Sequence, residues 1–127
     1  MELENKVALV TGGAQGIGRT ISEDLARQGA HVVLGDVNLE GAQATAEAIN
    51  NSGGSASAVK IDVSNQDEVK QVFDSILKDK KPVDIVVNNA GITRDGLMIR
   101  MKESDWDIVL NINLKGSFLC GQQAAKQ

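Results

Sequence analysis

Apolar positions along this chain follow two patterns that alternate. Four short runs read as strands: Val7-Ala8-Leu9-Val10, His31-Val32-Val33-Leu34, Ala58-Val59-Lys60-Ile61 and Val83-Asp84-Ile85-Val86-Val87, each ending near a Gly, Asp or Asn. The first, second and fourth are nearly continuous apolar runs, as expected of parallel strands covered on both faces. Between them apolar residues recur at helical spacing. Ile17, Ile21 and Leu25 form one stripe running from Gly16 to about residue 28, and Leu39, Ala42, Ala46 and Ile49 form a second that stops at Gly53-Gly54. Val69, Val72, Phe73, Ile76 and Leu77 form the third, with Ser64 and Asp67 three positions on as its predicted capping start and Pro82 as its stop. The order β-α-β-α-β-α-β predicts an open, doubly wound sheet with right-handed crossovers.

After the fourth run, residues 88 to 103 carry too much Arg and Gly for a core element. A last helix is predicted to begin near Ser104, with Trp106, Val109 and Leu110 on one face, and to run through Leu114, Phe118 and Leu119 to Gln127. No Gly or Asn cap closes it, so the chain reads as cut short within a single domain spanning residues 1–127.

The first strand turns into the first helix through Thr11-Gly12-Gly13-Ala14-Gln15-Gly16-Ile17-Gly18. Glycines here allow a backbone to approach a pyrophosphate, and a helix N-terminus offers unpaired N–H groups and a positive dipole end. Glycines alone also make plain turns. The strand-to-helix position is what points to a dinucleotide, and so to a three-layer Rossmann-type unit. Asp36 ends the second strand, 18 positions beyond Gly18, where a carboxylate accepts hydrogen bonds from an adenosine ribose and repels a 2′-phosphate. Neither Gln15 nor Val37 is basic, so NAD is expected over NADP; the plainer alternative is a solvated acid opening a turn with Asn38.

Composition narrows the partners. The chain has 127 residues, 42% hydrophobic and 24% charged, with a formal net charge of −4, which is ordinary globular usage. The pI near 4.9 and the lack of a basic run argue against nucleic acid. No apolar run approaches the roughly 20 residues of a membrane span, and Met1-Glu2-Leu3-Glu4-Asn5-Lys6 has no secretory apolar region. A single Cys and a single His preclude a Cys/His zinc cage, so no metal is expected, and the unpaired Cys suits a cytoplasmic setting.

With the glycine loop, Asp62-Val63 after the third strand and Asn88-Asn89-Ala90-Gly91 after the fourth, the whole sequence resembles the short-chain dehydrogenase/reductase family. Gly91-Ile92-Thr93-Arg94-Asp95, Trp106 and Asn111-Ile112-Asn113-Leu114-Lys115-Gly116 look most like its β-ketoacyl-(acyl carrier protein) reductases. The resemblance implies a sheet order of 3-2-1-4 and a cofactor site made by Gly12, Gln15, Gly16, Ile17, Gly18, Asp36, Asp62, Val63, Asn89, Ala90 and Gly91. In it Asp62 would bond the adenine amino group, although the residues alone suggest a turn or helix-entry acid. Asn89, Ala90 and Gly91 would line the adenosine ribose, Asn88 would brace the strands, and the backbone of Asn113 would hold a water in a proton relay.

Such enzymes run to about twice this length, and the catalytic Ser and Tyr-x-x-x-Lys lie in their second half. This chain has no tyrosine at all, so nothing here can take the role of the general acid/base. The resemblance therefore implies an incomplete site, with Asn113 as its only relay position. A cut chain would also leave the fourth strand as a sheet edge with Asp84 as its gatekeeper, and Leu114, Phe118 and Leu119 partly exposed. A homodimer or larger assembly is expected through that edge, the last helix or both, with Gly91 and Gly96 as a hinge for domain swapping.

Three readings follow: a weakly NAD-binding fragment not expected to catalyse hydride transfer alone, a self-associating scaffold without useful NAD affinity, and one half of a split reductase. The remaining candidates are plainer. His31 reads as a strand-rim residue, Cys120 as a small buried or interface thiol, Met98 and Met101 as packing, and Lys78, Lys80 and Lys81 as cations at a helix C-terminus.

Overall fold

In the first strand, side chains leave the sheet alternately to its two faces, and each face has its own core. A computed structural model describes residues 2–91 and 98–127. The strands are β1 (Val7–Thr11), β2 (His31–Asp36), β3 (Ser55–Lys60) and β4 (Ile85–Val87), all parallel in the order β3-β2-β1-β4. Val7, Leu9 and Val33 point to one face and meet α3 (Gln66–Asp79) and α5 (Gly116–Lys126) through Val69, Val72, Phe73, Ile76, Leu119 and Cys120. Ala8, Val10, Val32 and Leu34 point to the other and meet α1 (Gly16–Arg27) and α2 (Leu39–Asn51) through Ala26, Ala42, Ala46 and Ile49. Phe73 has no exposed surface, which stabilises the fold by roughly 1.5–3 kcal/mol. The expected three-layer α/β architecture and strand order are both present.

The differences from expectation are local. β3 begins three residues earlier than its apolar run, at Ser55. The Asn50 side chain donates to the Ala56 carbonyl and accepts from the Ala56 N–H, so the chain enters the ladder directly after Gly54. The alternating serines hid this, since β3 is an edge strand with polar residues outward. β4 is shorter than its run. Val83 N–H donates to the side chain of Gln127 at the end of α5, and Asp84 Oδ2 accepts from Val7 N–H. Asp84 therefore stands before the strand as a clasp on β1, not within it as a gatekeeper.

In α1 the buried positions are Gly18, Ser22 and Ala26, one residue on from the predicted stripe. Ile17 is 73% exposed, while Ile21 and Leu25 pack at the margin of the core. The small residues win the inner face because α1 lies tight against the glycine loop. α3 is capped by Asn65, whose side chain accepts from Glu68 N–H; Ser64 instead spends its hydroxyl on Asp62.

After a 3-10 turn (Met98–Arg100), α4 (Glu103–Leu110) continues through a π-helical turn (Asn111–Lys115) into α5. Leu114 and Phe118 are exposed as expected, but Leu119 is buried beside Cys120 against α3. Gly96, half of the suggested hinge, and the stretch Ile92 to Asp95 lie outside the described residues, as does the side chain of Met98. Among the described residues, no helix is long and apolar enough to cross a membrane.

Candidate functional site

All four strands point their carboxyl ends at one crevice, and the chain reverses direction across the sheet there, between β1 and β4. Open α/β sheets bind ligands at such a switch point. A cavity of about 390 Å³ opens at it, lined by Gly12, Gln15, Gly16, Gly35, Asp36, Val37, Ile61, Asp62, Val63, Asn89, Ala90, Gly91 and Ile112. That volume lies near the lower end of the roughly 300–1,000 Å³ usual for small-molecule sites.

The glycine loop turns because Gly12 and Gly16 hold φ of +68° and +61°, a region that costs other residues about 1–2 kcal/mol. Gln15, in extended backbone, precedes α1 without any side-chain cap, and no acid stands in the first turn. The first N–H groups of α1 are thus left with their positive dipole end at the cavity, the arrangement that suits an anion. Gly18 faces inward instead. A Cβ there would overlap the Gly12 carbonyl oxygen and lie 2.5 Å from Asn89 Nδ2, so this glycine lets helix and strand approach and does not line the cavity.

Asp36 holds the loop from the side. Its Oδ2 accepts from Ala14 N–H at 3.1 Å and its Oδ1 from Asn38 N–H at 3.0 Å. The turn with Asn38 is therefore real, and it leaves the carboxylate in the cavity wall with further acceptor positions free, since each oxygen has two lone-pair sites. Asp62 likewise plays the turn role that its residue type suggests: Oδ1 accepts from Ser64 N–H and Oγ, while the residue remains in the cavity lining. Val63 is buried, and α5 crosses it closely enough that a Cβ on Gly116 would lie 2.5 Å from Val63 Cγ2.

The brace across the strand ends is made by Asn89, not Asn88. Asn89 Nδ2 donates to the Gly12 carbonyl at 3.1 Å, whereas Asn88 is exposed. Thr11 completes the brace. Its buried hydroxyl donates to the Val87 carbonyl and accepts from the N–H groups of Asn89 and Ala90 at 3.1 and 3.0 Å. In the sequence Thr11 is only the first residue of the glycine loop, with no role of its own.

Of the remaining site positions, Ile17 is exposed beside the loop and does not line the cavity. Asn113 lies in the π-helical turn, with its Oδ1 2.8 Å from where a Gly91 Cβ would stand and its carbonyl accepting from Ser117 Oγ. It reaches the rim through Gly91 without lining the cavity. Three lining residues were missed. Gly35 carried a signal, a glycine inside a strand: a Cβ on it would lie 2.8 Å from Ile61 Cγ2. Ile61 and Ile112 carry none beyond being apolar, whereas Val37, weighed as a non-basic neighbour of Asp36, does line the cavity.

His31 bridges Ser55 and Ser57 at the opposite end of the sheet. Burial pushes the Cys120 thiol up to about 11, so it stays protonated and packs as a small apolar group.

Comparison with known proteins agrees with this geometry. The model of the short chain dehydrogenase family matches residues 6–127. A 3-oxoacyl-(acyl-carrier-protein) reductase FabG of Thermotoga maritima is 42% identical over 118 residues, covering 93% of this chain and 48% of that protein. The FabG of Staphylococcus epidermidis strain RP62A is 44% identical over 127 residues, covering 97% and 51%. Among solved structures, a short-chain type dehydrogenase/reductase from Mycobacterium marinum superposes with a TM-score of 0.95 at 32% identity, covering 98% of this chain and 51% of its own. A protein from Haemophilus influenza described as a D-mannonate oxidoreductase, solved with bound NAD, gives 0.91 at 31%, covering 98% and 51%. This chain spans about half the length of these relatives, and it belongs to the short chain dehydrogenase family.

Proposed function

We propose that this chain, as a member of the short chain dehydrogenase family, binds the adenosine and pyrophosphate portion of NAD in the crevice at the carboxyl ends of its strands, in preference to NADP. The observation that carries this is the uncapped, acid-free N-terminus of α1 at a cavity whose wall also includes Asp36, held beside the loop by Ala14 N–H. Gly12, Gln15 and Gly16 would hold the pyrophosphate, Asp36 the adenosine ribose, and Asp62 with Val63 the adenine. Asn89, Ala90 and Gly91 would close the ribose side. When bound, the dinucleotide supplies the hydride acceptor or donor of the family's redox chemistry.

The residues of this chain bind and orient, and they do not complete a catalytic set. There is no tyrosine for a general acid/base, and Asn113, the relay position, does not line the crevice. On this reading residues 1–127 form one cytoplasmic nucleotide-binding unit of an oxidoreductase like the 3-oxoacyl reductases, inactive alone.

A second element of the proposal is self-association. Trp106, Leu114 and Phe118 are 58–67% exposed along α4 to α5, more large apolar surface than one helical stretch of a monomer commonly shows to water. A second copy of the chain would cover it.

Calorimetric titration of NAD, and separately NADP, into the purified chain tests the binding. Saturable binding of NAD, with NADP weaker, is the expected result. A folded chain that binds neither would leave only the self-associating scaffold. Reductase activity appearing on addition of the second half of a homologous enzyme would make this chain one part of a split enzyme.

A further inference from the structure

The opposite end of the sheet gathers three lysines from two distant places in the sequence, Lys6 before β1 and Lys80-Lys81 before β4. A shallow cavity of about 360 Å³ there is lined by Asn5, Lys6, Val7, Gly29, His31, Ser55, Lys80 and Lys81. These residues precede or open β1, β2, β3 and β4 in turn, so only the parallel sheet brings them together. In a chain with a formal net charge of −4, three lysines around one hollow are a local reversal of sign.

Little in the molecule neutralises them. Lys81 pairs with Asp84 at 3.1 Å, and Asp84 also accepts from Val7 N–H. Among the described residues, neither Lys6 nor Lys80 makes an ion pair, although Asp84 also lies within electrostatic reach of Lys6. The C-terminus of α3, which ends at Asp79, contributes about half a negative charge, less than a single lysine. His31 responds to the excess: burial first, and the charge of Lys80 second, hold its imidazole below the usual pKa. His31 is fixed in the wall by both ring nitrogens, Nδ1 2.6 Å from Ser55 Oγ and Nε2 3.2 Å from Ser57 Oγ, so its imidazole senses a nearby charge without being a ligand to it.

We propose that this basal hollow is a second anion site, separate from the nucleotide crevice, which takes a phosphate group between Lys6, Lys80 and Lys81, beside the His31 imidazole. Ammonium groups bind phosphate as point charges without demanding a fixed fork, which suits an open hollow. The ligand class is inorganic phosphate or the terminal phosphate of a small monoester. Strand β2 separates the two sites: from His31 to Asp36 it spans about 16 Å, so an anion at the glycine loop would not touch His31.

The test uses the single histidine of the chain as its reporter. The imidazole proton resonances of His31 are followed by NMR through a pH titration, with and without inorganic phosphate and with sodium chloride at matched ionic strength. Phosphate is expected to move the His31 midpoint upward by about half a pH unit, saturably and beyond any effect of chloride, because a bound anion favours the imidazolium. The effect should vanish in the Lys6→Gln/Lys80→Gln double variant, whose substitutions are both exposed, while its NAD titration stays as in the parent chain. A parallel titration with glycerol phosphate separates a site that admits an ester from one that takes only free phosphate. A His31 midpoint that ignores phosphate, follows chloride equally, or still responds in the double variant overturns the proposal.

Discussion

Gly18 and Gly12 are interlocked: a Cβ on Gly18 would overlap the carbonyl oxygen of Gly12, the atom to which Asn89 Nδ2 donates. One point thus ties α1, the end of β1 and the segment after β4. Gly18→Ala should therefore destabilise the fold by about 3 kcal/mol or more, the upper range for forcing a methyl into a packed site. Gly16→Ala meets no atom within 4 Å and should cost only the left-handed backbone, about 1–2 kcal/mol. Denaturant unfolding of the two variants checks this; equal losses would mean that the contact with Gly12 carries no special weight.

Thr11 separates hydroxyl from shape. Thr11→Ser keeps the acceptor for Asn89 and Ala90, whereas Thr11→Val removes it. Asn89 N–H retains the Val87 carbonyl at 3.0 Å, but Ala90 N–H has no second acceptor among the described residues. The valine variant should lose about 1–3 kcal/mol, the penalty of one unsatisfied group, and the serine variant less than half of that. Nucleotide affinity should fall with the valine variant, because Asn89 and Ala90 line the crevice.

Asp36→Ala should weaken NAD about tenfold or more, since a hydrogen bond to a charged group contributes about 1.5–3 kcal/mol. It should weaken NADP less, because the repulsion of a 2′-phosphate goes with the carboxylate. Titrating both nucleotides into the variant decides the matter, alongside an unfolding curve to register the lost contacts to Ala14 and Asn38. Equal weakening of both nucleotides would remove Asp36 as the source of preference.

The exposed face of α4 to α5 should hold copies of the chain together. Sedimentation at tens of micromolar should show a dimer or larger species, and Leu114→Glu/Phe118→Glu should shift it toward monomer, by charging two side chains that lie 62–67% exposed. A monodisperse monomer for the parent chain would remove this interface.

Asp84 gives the fold an acid-sensitive clasp. Its carboxyl lies below the usual carboxylate range, first because it accepts from Val7 N–H and further because of Lys81. A depressed carboxylate stabilises the folded chain fully above its ordinary pKa of 3.8, and that contribution is lost as pH falls through the lowered value. Asp84→Asn should flatten stability against pH below about pH 4, measured by thermal unfolding between pH 2 and 6. An unchanged acid limb would show that the clasp does not persist in solution.

What the amino-acid order determined by itself was periodic or local. The apolar runs of β1 and β2, the helical stripes of α2 and α3, and a glycine loop followed by an acid at Asp36 all depend on spacing along the chain. Spacing survives without knowledge of neighbours. The β3 start and the shifted inner face of α1 were not legible, because serines on an edge strand and glycine or serine on a helix look polar until something packs against them. Gln127 on Val83, Asn89 on Gly12 and Asp84 on Val7 were also beyond reach, since each joins residues more than 40 positions apart. Tertiary structure alone decided that Gly18 serves packing while Gly16 serves the crevice, that Thr11 braces the strand ends, and that Lys6, His31, Lys80 and Lys81 share one hollow. A parallel sheet is the reason for all of these: it sets four strand starts side by side at one end and four strand finishes at the other, and chemistry that is dispersed in sequence becomes adjacent there.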